Sequence, residues 1–188
     1  MATRYAWVID INRCIGCRTC MVSCKMENLV APDEFRIRVL NKDNEYKLDK
    51  PEGTYPRLKE DWLPVPCQHC ENPPCVPVCP SGASYIREDG IVTVDESKCI
   101  GCQYCVWACP YDARFMDPRV GTVDKCTMCY HRLSDGKKTM CESCCPGRAL
   151  HVGDLNDPES EVSRLVATRR YRTLLPEQGT KPATYYLY

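Results

Sequence analysis

The sequence lacks a net charge and a long apolar run. Its 188 residues include 25 lysines and arginines and 25 aspartates and glutamates, so the formal net charge is zero. A protein without net charge has no bulk electric field that would attract nucleic acid or an anionic membrane surface. No segment approaches the ~20 apolar residues of a membrane span, and the N-terminus has no apolar stretch of signal-peptide length. We therefore expect no nucleic-acid partner and no insertion of this protein into a bilayer by itself.

The sequence also lacks the motifs of common catalytic sites. It has no Walker loop, no G-x-G-x-x-G after a strand and no nucleophile-base pairing, so we expect no substrate-transforming site in this chain. Cysteine, in contrast, is abundant, with 17 residues. Such a content indicates either a disulfide scaffold or a metal protein. Because the cysteines inflate the hydrophobic fraction of 44%, the ordinary apolar core is small for this length.

Sixteen of the 17 cysteines fall into four versions of one motif, and Cys144 is left over. Each version begins with a C-x2-C pair. A third cysteine follows, and the fourth comes after three further residues. The motifs occupy residues 14–24 (CIGCRTCMVSC), 67–79 (CQHCENPPCVPVC), 99–109 (CIGCQYCVWAC) and 126–145 (CTMCYHRLSDGKKTMCESCC). Proline follows the fourth cysteine at Cys79, Cys109 and Cys145.

Disulfides, zinc and iron-sulfur clusters all use cysteine, and the spacing separates them. The odd cysteine count and the lack of a signal for an oxidising compartment disfavour a disulfide framework. Structural zinc sites pair two C-x2-C units across a loop and use four thiolates per ion, with none spare. Three cysteines at two-residue gaps instead bind three corners of one [4Fe-4S] cubane, while the fourth, often followed by proline, binds a neighbouring cluster. The pattern favours iron-sulfur clusters, and a zinc-stabilised scaffold stays open only if clusters are absent.

The exchange of the fourth cysteine makes the motifs work in pairs, so four motifs predict four [4Fe-4S] clusters. The second and third motifs are close in sequence and are predicted to pair, which leaves the first and fourth to pair with each other. The predicted ligand sets are Cys67, Cys70, Cys75 and Cys109; Cys99, Cys102, Cys105 and Cys79; Cys14, Cys17, Cys20 and Cys145; and Cys126, Cys129, Cys141 and Cys24. Because every cluster then has four cysteines, we expect the three histidines in supporting or surface roles. Trp107 is expected to pack against a cluster.

The predicted fold class is α+β, with two interleaved ferredoxin-like 2[4Fe-4S] units, one inserted in the other, irregular connecting segments and an extended C-terminal tail. The outer unit is assigned to residues 1–30 and 120–156, the inserted unit to 64–119, a connecting insertion to 31–63, and a short helix with a subunit-docking tail to 157–188. Strands are expected at residues 5–10, 90–95 and 149–154, with a hairpin at Asp89-Gly90. Asp157 is the expected N-cap of the late helix.

The sequence resembles the four-cluster iron-sulfur subunits of the dimethyl sulfoxide reductase superfamily of molybdopterin oxidoreductases. Within that superfamily it is most similar to the polysulfide and thiosulfate reductase type. The segments CQHCENPPCVPVCPSGASY and CIGCQYCVWACPYDARF carry the resemblance most specifically, and CTMCYHRLSDGKK and LPEQGTKP extend it over nearly the whole chain. The resemblance implies a non-catalytic electron-transfer subunit between a molybdopterin (Mo or W) catalytic subunit and an integral, quinone-reactive membrane subunit. It also implies that the outer motif pair faces the catalytic subunit and the middle pair the membrane.

The third motif distinguishes between branches of this superfamily. Relatives of the nitrate reductase type replace its third cysteine by tryptophan, whereas Cys105 is present here, so four [4Fe-4S] clusters remain the prediction. The small subunit of a soluble molybdopterin heterodimer and a free-standing polyferredoxin remain alternatives. By resemblance, the protein is expected at the periphery of the cytoplasmic membrane, on the periplasmic face, without a signal peptide or transmembrane segment of its own.

Overall fold

The computed structural model describes residues 2–41 and 51–188, and its elements are short, with few helices. The strands are β1 (Tyr5–Asp10), β2 (Ile37–Leu40), β3 (Glu52–Thr54), β4 (Arg57–Lys59), β5 (Leu63–Pro66), β6 (Ser84–Ile86), β7 (Val92–Val94), β8 (Arg114–Asp117), β9 (Thr122–Lys125), β10 (Leu150–Asp154), β11 (Tyr171–Arg172) and β12 (Thr184–Leu187). The helices are α1 (Thr19–Asn28), α2 (Tyr104–Trp107), α3 (Tyr130–Ser134), α4 (Met140–Ser143) and α5 (Glu161–Thr168), with 3-10 turns at Ile11–Arg13 and Pro176–Gln178. Within the described ranges, none of the helices has the length and apolar character needed to span a bilayer.

The central sheet has the strand order β10-β1-β12-β11. β1 pairs antiparallel with β10 and parallel with β12, so it is flanked on both sides. Because successive side chains of a strand point to opposite faces, Trp7 and Ile9 enter the main core, whereas Ala6 and Val8 pack on the other face with Val162 of α5. The strands predicted at residues 5–10 and 149–154 are confirmed.

Short antiparallel hairpins flank the cysteine motifs. β6 and β7 form the hairpin predicted at Asp89-Gly90, where Arg87 N donates to Ile91 O at 2.9 Å. Gly90 has a φ of 78°, a conformation that costs glycine little because it has no Cβ. The next hairpin, β8–β9, ends one residue before Cys126. The hairpins therefore connect the second, third and fourth motifs.

The segment predicted as a connecting insertion, 31–63, packs on the first motif. β2 pairs antiparallel with β5, and β3 pairs with β4 in a separate hairpin, while residues 42–50 of the predicted insertion lie outside the described residues. Gly16, with a φ of 66°, lies under the ring of Trp62, and a Cβ at this position would be 2.2 Å from Trp62 Cε2. The end of the segment thus covers the loop that carries Cys14 and Cys17.

Two expectations for residues 157–188 differ from the structure. Helix α5 begins at Glu161, and its N-cap is Ser160, whose Oγ accepts a hydrogen bond from Ser163 N at 3.0 Å. Asp157 forms a tight turn before the helix instead, accepting from Glu159 N. The tail is not a free extended segment, because β12 lies in the chain's own sheet and its Tyr186 side chain is fully buried. Burial against β1 gives the tail an apolar contact within the chain itself, and its docking on another subunit stays a prediction.

Tyr186 generates a stability prediction. Its hydroxyl donates to Pro64 O at 3.1 Å and accepts from Gln68 Nε2 at 3.2 Å. We expect Tyr186→Phe to lower the free energy of unfolding by about 1 kcal/mol or more, because the buried carbonyl loses its donor and the buried amide loses an acceptor. The midpoint of anaerobic denaturant unfolding, followed by circular dichroism, measures the change. Tyr188→Phe, at an exposed position, is the control, and equal midpoints for the two variants would contradict the expectation.

Candidate metal centres

The first and fourth motifs bring their thiols together in two cavities. Each cavity combines three cysteines of one motif with the fourth cysteine of the other. The linings include Cys14, Cys17, Cys20 and Cys145 in one cavity, and Cys24, Cys126, Cys129 and Cys141 in the second.

The second and third motifs do the same in the middle of the chain. One site is a cavity lined by three cysteines of the third motif and the fourth of the second, namely Cys99, Cys102, Cys105 and Cys79. In the other site, burial raises the pKa values of the thiols of Cys70, Cys75 and Cys109, and charge repulsion from the nearby Cys67 raises each of them further. The four cysteines of each predicted set therefore lie together in one site. Their role as iron ligands stays a prediction.

Helix α1 explains how one motif serves two sites. The residue before it, Arg18, has a left-handed φ of 59°, which turns the chain from the C-x2-C loop into the helix. Cys20 and Cys24 then lie one helical turn apart on α1, on the same side. Cys20 lines the cavity of Cys145, and Cys24 lines the cavity of Cys141, with α1 packed against α4. A single short helix thus separates two sites and contributes to both.

The thiols lie in an environment that disfavours their charged form. Burial, followed by repulsion from Cys14, Cys145 and Cys17, raises the pKa of Cys20 to about 12. Burial is also the main cause that raises the pKa of Cys24 to about 12, with repulsion from Cys129 next. Near neutral pH these thiols are therefore protonated without a metal, and a soft cation such as iron would compensate the charge of the thiolates. The donor set of four sulfurs per site fits an iron-sulfur cluster.

Hydrogen-bond donors surround the sulfurs. Backbone amides point at several of the sixteen cysteines, for example Met128 N to Cys126 Sγ at 3.3 Å, Ala149 N to Cys145 Sγ at 3.3 Å, Ser84 N to Cys79 Sγ at 3.4 Å and Val123 N to Cys99 Sγ at 3.4 Å. Hydrogen bonds to sulfur stabilise thiolate ligands and adjust the reduction potential of a bound cluster.

Two buried cations, Arg114 and Lys125, are direct partners across the β8–β9 hairpin. Arg114 Nη2 donates to Cys75 Sγ at 2.9 Å, while Nη1 is buried without a hydrogen-bond partner among the described residues. Lys125 Nζ donates to the backbone carbonyls of Cys126 and Val92. No carboxylate within the described ranges forms an ion pair with either cation. Like charges opposite each other are destabilising, so anionic clusters in the neighbouring sites fit this pair.

Sequence reasoning missed both cations, because the pattern around them, RFMD and TVDK, does not distinguish a buried base from an exposed one. The signal that could have found them is position: Lys125 directly precedes Cys126, and Arg114 follows the third motif within five residues.

The remaining candidates have ordinary environments, with one correction. His69 is fully buried and its Nδ1 accepts from Val92 N, and burial lowers its pKa. His131 pairs with Glu27, and His151 lies 3.1 Å from Glu161. The expectation that Trp107 packs against a cluster is wrong, since 85% of its surface is exposed. Trp107 lies on the outer side of the single turn α2, whereas Cys105 of the same turn points inward.

Comparisons with known proteins agree with this chemistry. Two family models, each described as a 4Fe-4S dicluster domain, match residues 58–155 and 13–83. A tetrathionate reductase subunit of Salmonella typhimurium is 47% identical over 98% of this chain and 72% of the relative. A sulfite dehydrogenase subunit of Allochromatium vinosum is 44% identical over 98% of this chain and 83% of the relative. A polysulfide reductase subunit of Wolinella succinogenes is 42% identical over 98% of this chain and 94% of the relative.

Iron removal tests whether the four sites hold the fold together. We expect anaerobic chelation of iron to abolish most of the native circular dichroism, because iron-free thiols leave four voids beside a small apolar core. Re-addition of ferrous iron and sulfide to the reduced protein should restore the signal. Protein incubated with chelator saturated beforehand with iron is the control, and a native spectrum in the iron-free protein would contradict the expectation.

Proposed function

The chain belongs to the family of iron-sulfur electron-transfer subunits of the molybdopterin oxidoreductases, and on this premise we propose that it carries electrons between a molybdopterin catalytic subunit and a quinone-reactive membrane subunit. The observation that carries the proposal is the grouping of sixteen cysteines into four sites of four thiols. We propose that these sets are the ligands of four [4Fe-4S] clusters. When bound, such a cluster supplies one-electron redox chemistry.

The chain's own residues hold, bury and tune the clusters. Four cysteines per site leave no iron position for a substrate, which fits a relay rather than a catalytic centre. Main-chain amides such as Met128 N and Ala149 N donate to the ligand sulfurs. Buried side chains, such as those of Trp7 and Tyr186, exclude water from the space between the outer sites and the sheet.

We further propose that the two dicluster domains are nested. Two observations support this arrangement: β1, which precedes the first motif, pairs with β10, which follows the fourth, and α1 packs against α4. The second and third motifs lie between these elements in sequence and share their own two sites. The proposed outer unit therefore closes around an inserted unit at residues 64–119.

Two exposed apolar surfaces support a subunit with two partners. The first, which we name the α1 surface, consists of Ile15, Val22, Met26 and Leu29, which are 56–75% exposed beside the exposed Cys17. Val22, Met26 and Leu29 have the spacing of one helical face. Exposed apolar side chains grouped in this way are typical of protein interaction sites.

The second, the α2 surface, consists of Ile100, Tyr104, Trp107 and Val120, which are 61–85% exposed beside the exposed Cys102. An apolar surface thus accompanies the exposed Cys17 of an outer site, and another accompanies the exposed Cys102 of a middle site. We propose that the α1 surface docks on the catalytic subunit and the α2 surface on the membrane subunit, with the complex on the periplasmic face. Because β12 buries the tail in the chain's own sheet, these two surfaces, and not the tail, argue against a free-standing polyferredoxin.

The metal content of the native assembly tests the proposal. We expect about sixteen irons per protein molecule from four [4Fe-4S] clusters, and one molybdenum or tungsten in the co-purified partner, by elemental analysis of anaerobically isolated material. Sixteen irons with neither metal would favour the polyferredoxin alternative. Stoichiometric zinc without iron would contradict the cluster proposal.

Exchange of the fourth cysteine between motifs makes a second prediction. We expect Cys109→Ser to damage the site of Cys67, Cys70 and Cys75 more than the site of Cys105, because the lost thiol belongs to the former set. Electron paramagnetic resonance of the reduced variant, compared with Cys105→Ser, identifies which signal is lost. Cys144→Ser, which removes the cysteine outside the four sets, is the control and should retain all signals. Loss of the Cys105 signal alone in Cys109→Ser would refute the pairing.

A further inference from the structure

Arg114 occupies an unusual position for an arginine. It is 3% exposed, at the start of β8, and Nη2 donates both to Cys75 Sγ at 2.9 Å and to Ser84 Oγ at 2.8 Å. Ser84 N in turn donates to Cys79 Sγ at 3.4 Å. Arg114 therefore contacts a thiol of one middle site directly and reaches the other middle site through Ser84.

The guanidinium also faces the second middle site. Its electrostatic partners are the thiols of Cys75 and Cys67 in one site and of Cys105 in the other. One cation thus lies between two sets of four cysteines, each proposed to hold a cluster.

Among the described residues, these sulfurs are the groups that can offset the charge of Arg114. Within residues 2–41 and 51–188, no carboxylate forms an ion pair with it, and its Nη1 has no hydrogen-bond partner. A guanidinium remains protonated in proteins, so the positive charge is permanent. A permanent buried charge is stable only beside an opposite charge, and the two middle sites are the candidates that contact it.

We propose that Arg114 is a shared counter-charge that raises the reduction potentials of both middle clusters together. The proposal rests on the function proposed above, in which both sites hold [4Fe-4S] clusters. Reduction makes a site more negative, so a fixed cation between the sites favours the reduced form of each. The effect is confined to the middle sites, because the thiols that Arg114 faces belong to these two sets.

The test is a redox titration of the iron-loaded protein, monitored by electron paramagnetic resonance, with signals assigned by Cys109→Ser and Cys79→Ser. Arg114→Gln removes the charge, and Arg114→Lys keeps it. Arg119→Gln is the matched control, because Arg119 follows the same strand but is half-exposed and paired with Asp117.

For Arg114→Gln we expect a loss of at least tenfold in the reduction equilibrium of each middle cluster, which is a shift of about 59 mV or more to lower potential for one electron. Arg114→Lys should shift both potentials less than Arg114→Gln does. The two outer sites, and all four sites of Arg119→Gln, should keep their potentials. A shift in one middle cluster only, or in none, with iron content intact, would overturn the shared role.

A measurement on the unaltered protein covers the case in which Arg114→Gln loses iron. Protein labelled with ¹⁵N-arginine, in its reduced form, should show a ¹⁵N coupling in the pulsed resonance signal of the Cys75 site, because Nη2 contacts its sulfur. The coupling should disappear in Arg114→Lys and persist in Arg119→Gln. Its absence from the unaltered protein would overturn the proposal, whereas absence of cluster signals altogether would instead overturn the proposed function.

Discussion

The fold depends on bringing buried thiols together in groups of four. Burial is the main cause that raises the pKa values of Cys20, Cys24 and Cys70 to about 12, and repulsion from other cysteines of its own site also raises each of them. Around them the described strands form one four-stranded sheet and several two-stranded hairpins. A two-stranded hairpin is marginal in water without further packing. On the proposed assignment, iron is the cross-link that allows such short elements to form a stable core.

The same constraint explains why polar groups in the interior are arranged as they are. Backbone amides such as Met128 N and Ser84 N point at sulfur, and the paired strands β8 and β9 place Arg114 opposite Lys125. In an ordinary core this pair of cations would be strongly destabilising. Beside the proposed anionic clusters the same two residues compensate charge, and Arg114 also links the two middle sites. The electrostatics of the interior thus follow from the cofactor, as the apolar packing does.

Cysteine spacing allowed the thiol groupings to be anticipated because three cysteines of each set lie in one motif and the fourth follows the rule of exchange between motifs. The Asp89-Gly90 hairpin followed from local turn chemistry. Tertiary packing decided the rest. Either Asp157 or Ser160 can cap a helix, and burial of Val162 against the β1 face accompanies the choice of Ser160. The outward position of Trp107 and the inward position of Arg114 also depend on surroundings that a single sequence does not specify.

The pairing of β1 imposes an order of events on biosynthesis. β1 is made early, yet its two neighbours are β10 and β12, at residues 150–154 and 184–187. During translation the first strand has no partner until nearly all of the described residues have emerged, so an apolar segment containing Trp7 and Ile9 must be protected in the meantime. The two outer sites need cysteines from both ends of the same interval, from Cys14 to Cys145. The outer sites therefore have all four of their proposed ligands only after residues 141 and 145 have been made, whereas the proposed ligands of the middle sites are complete by residue 109.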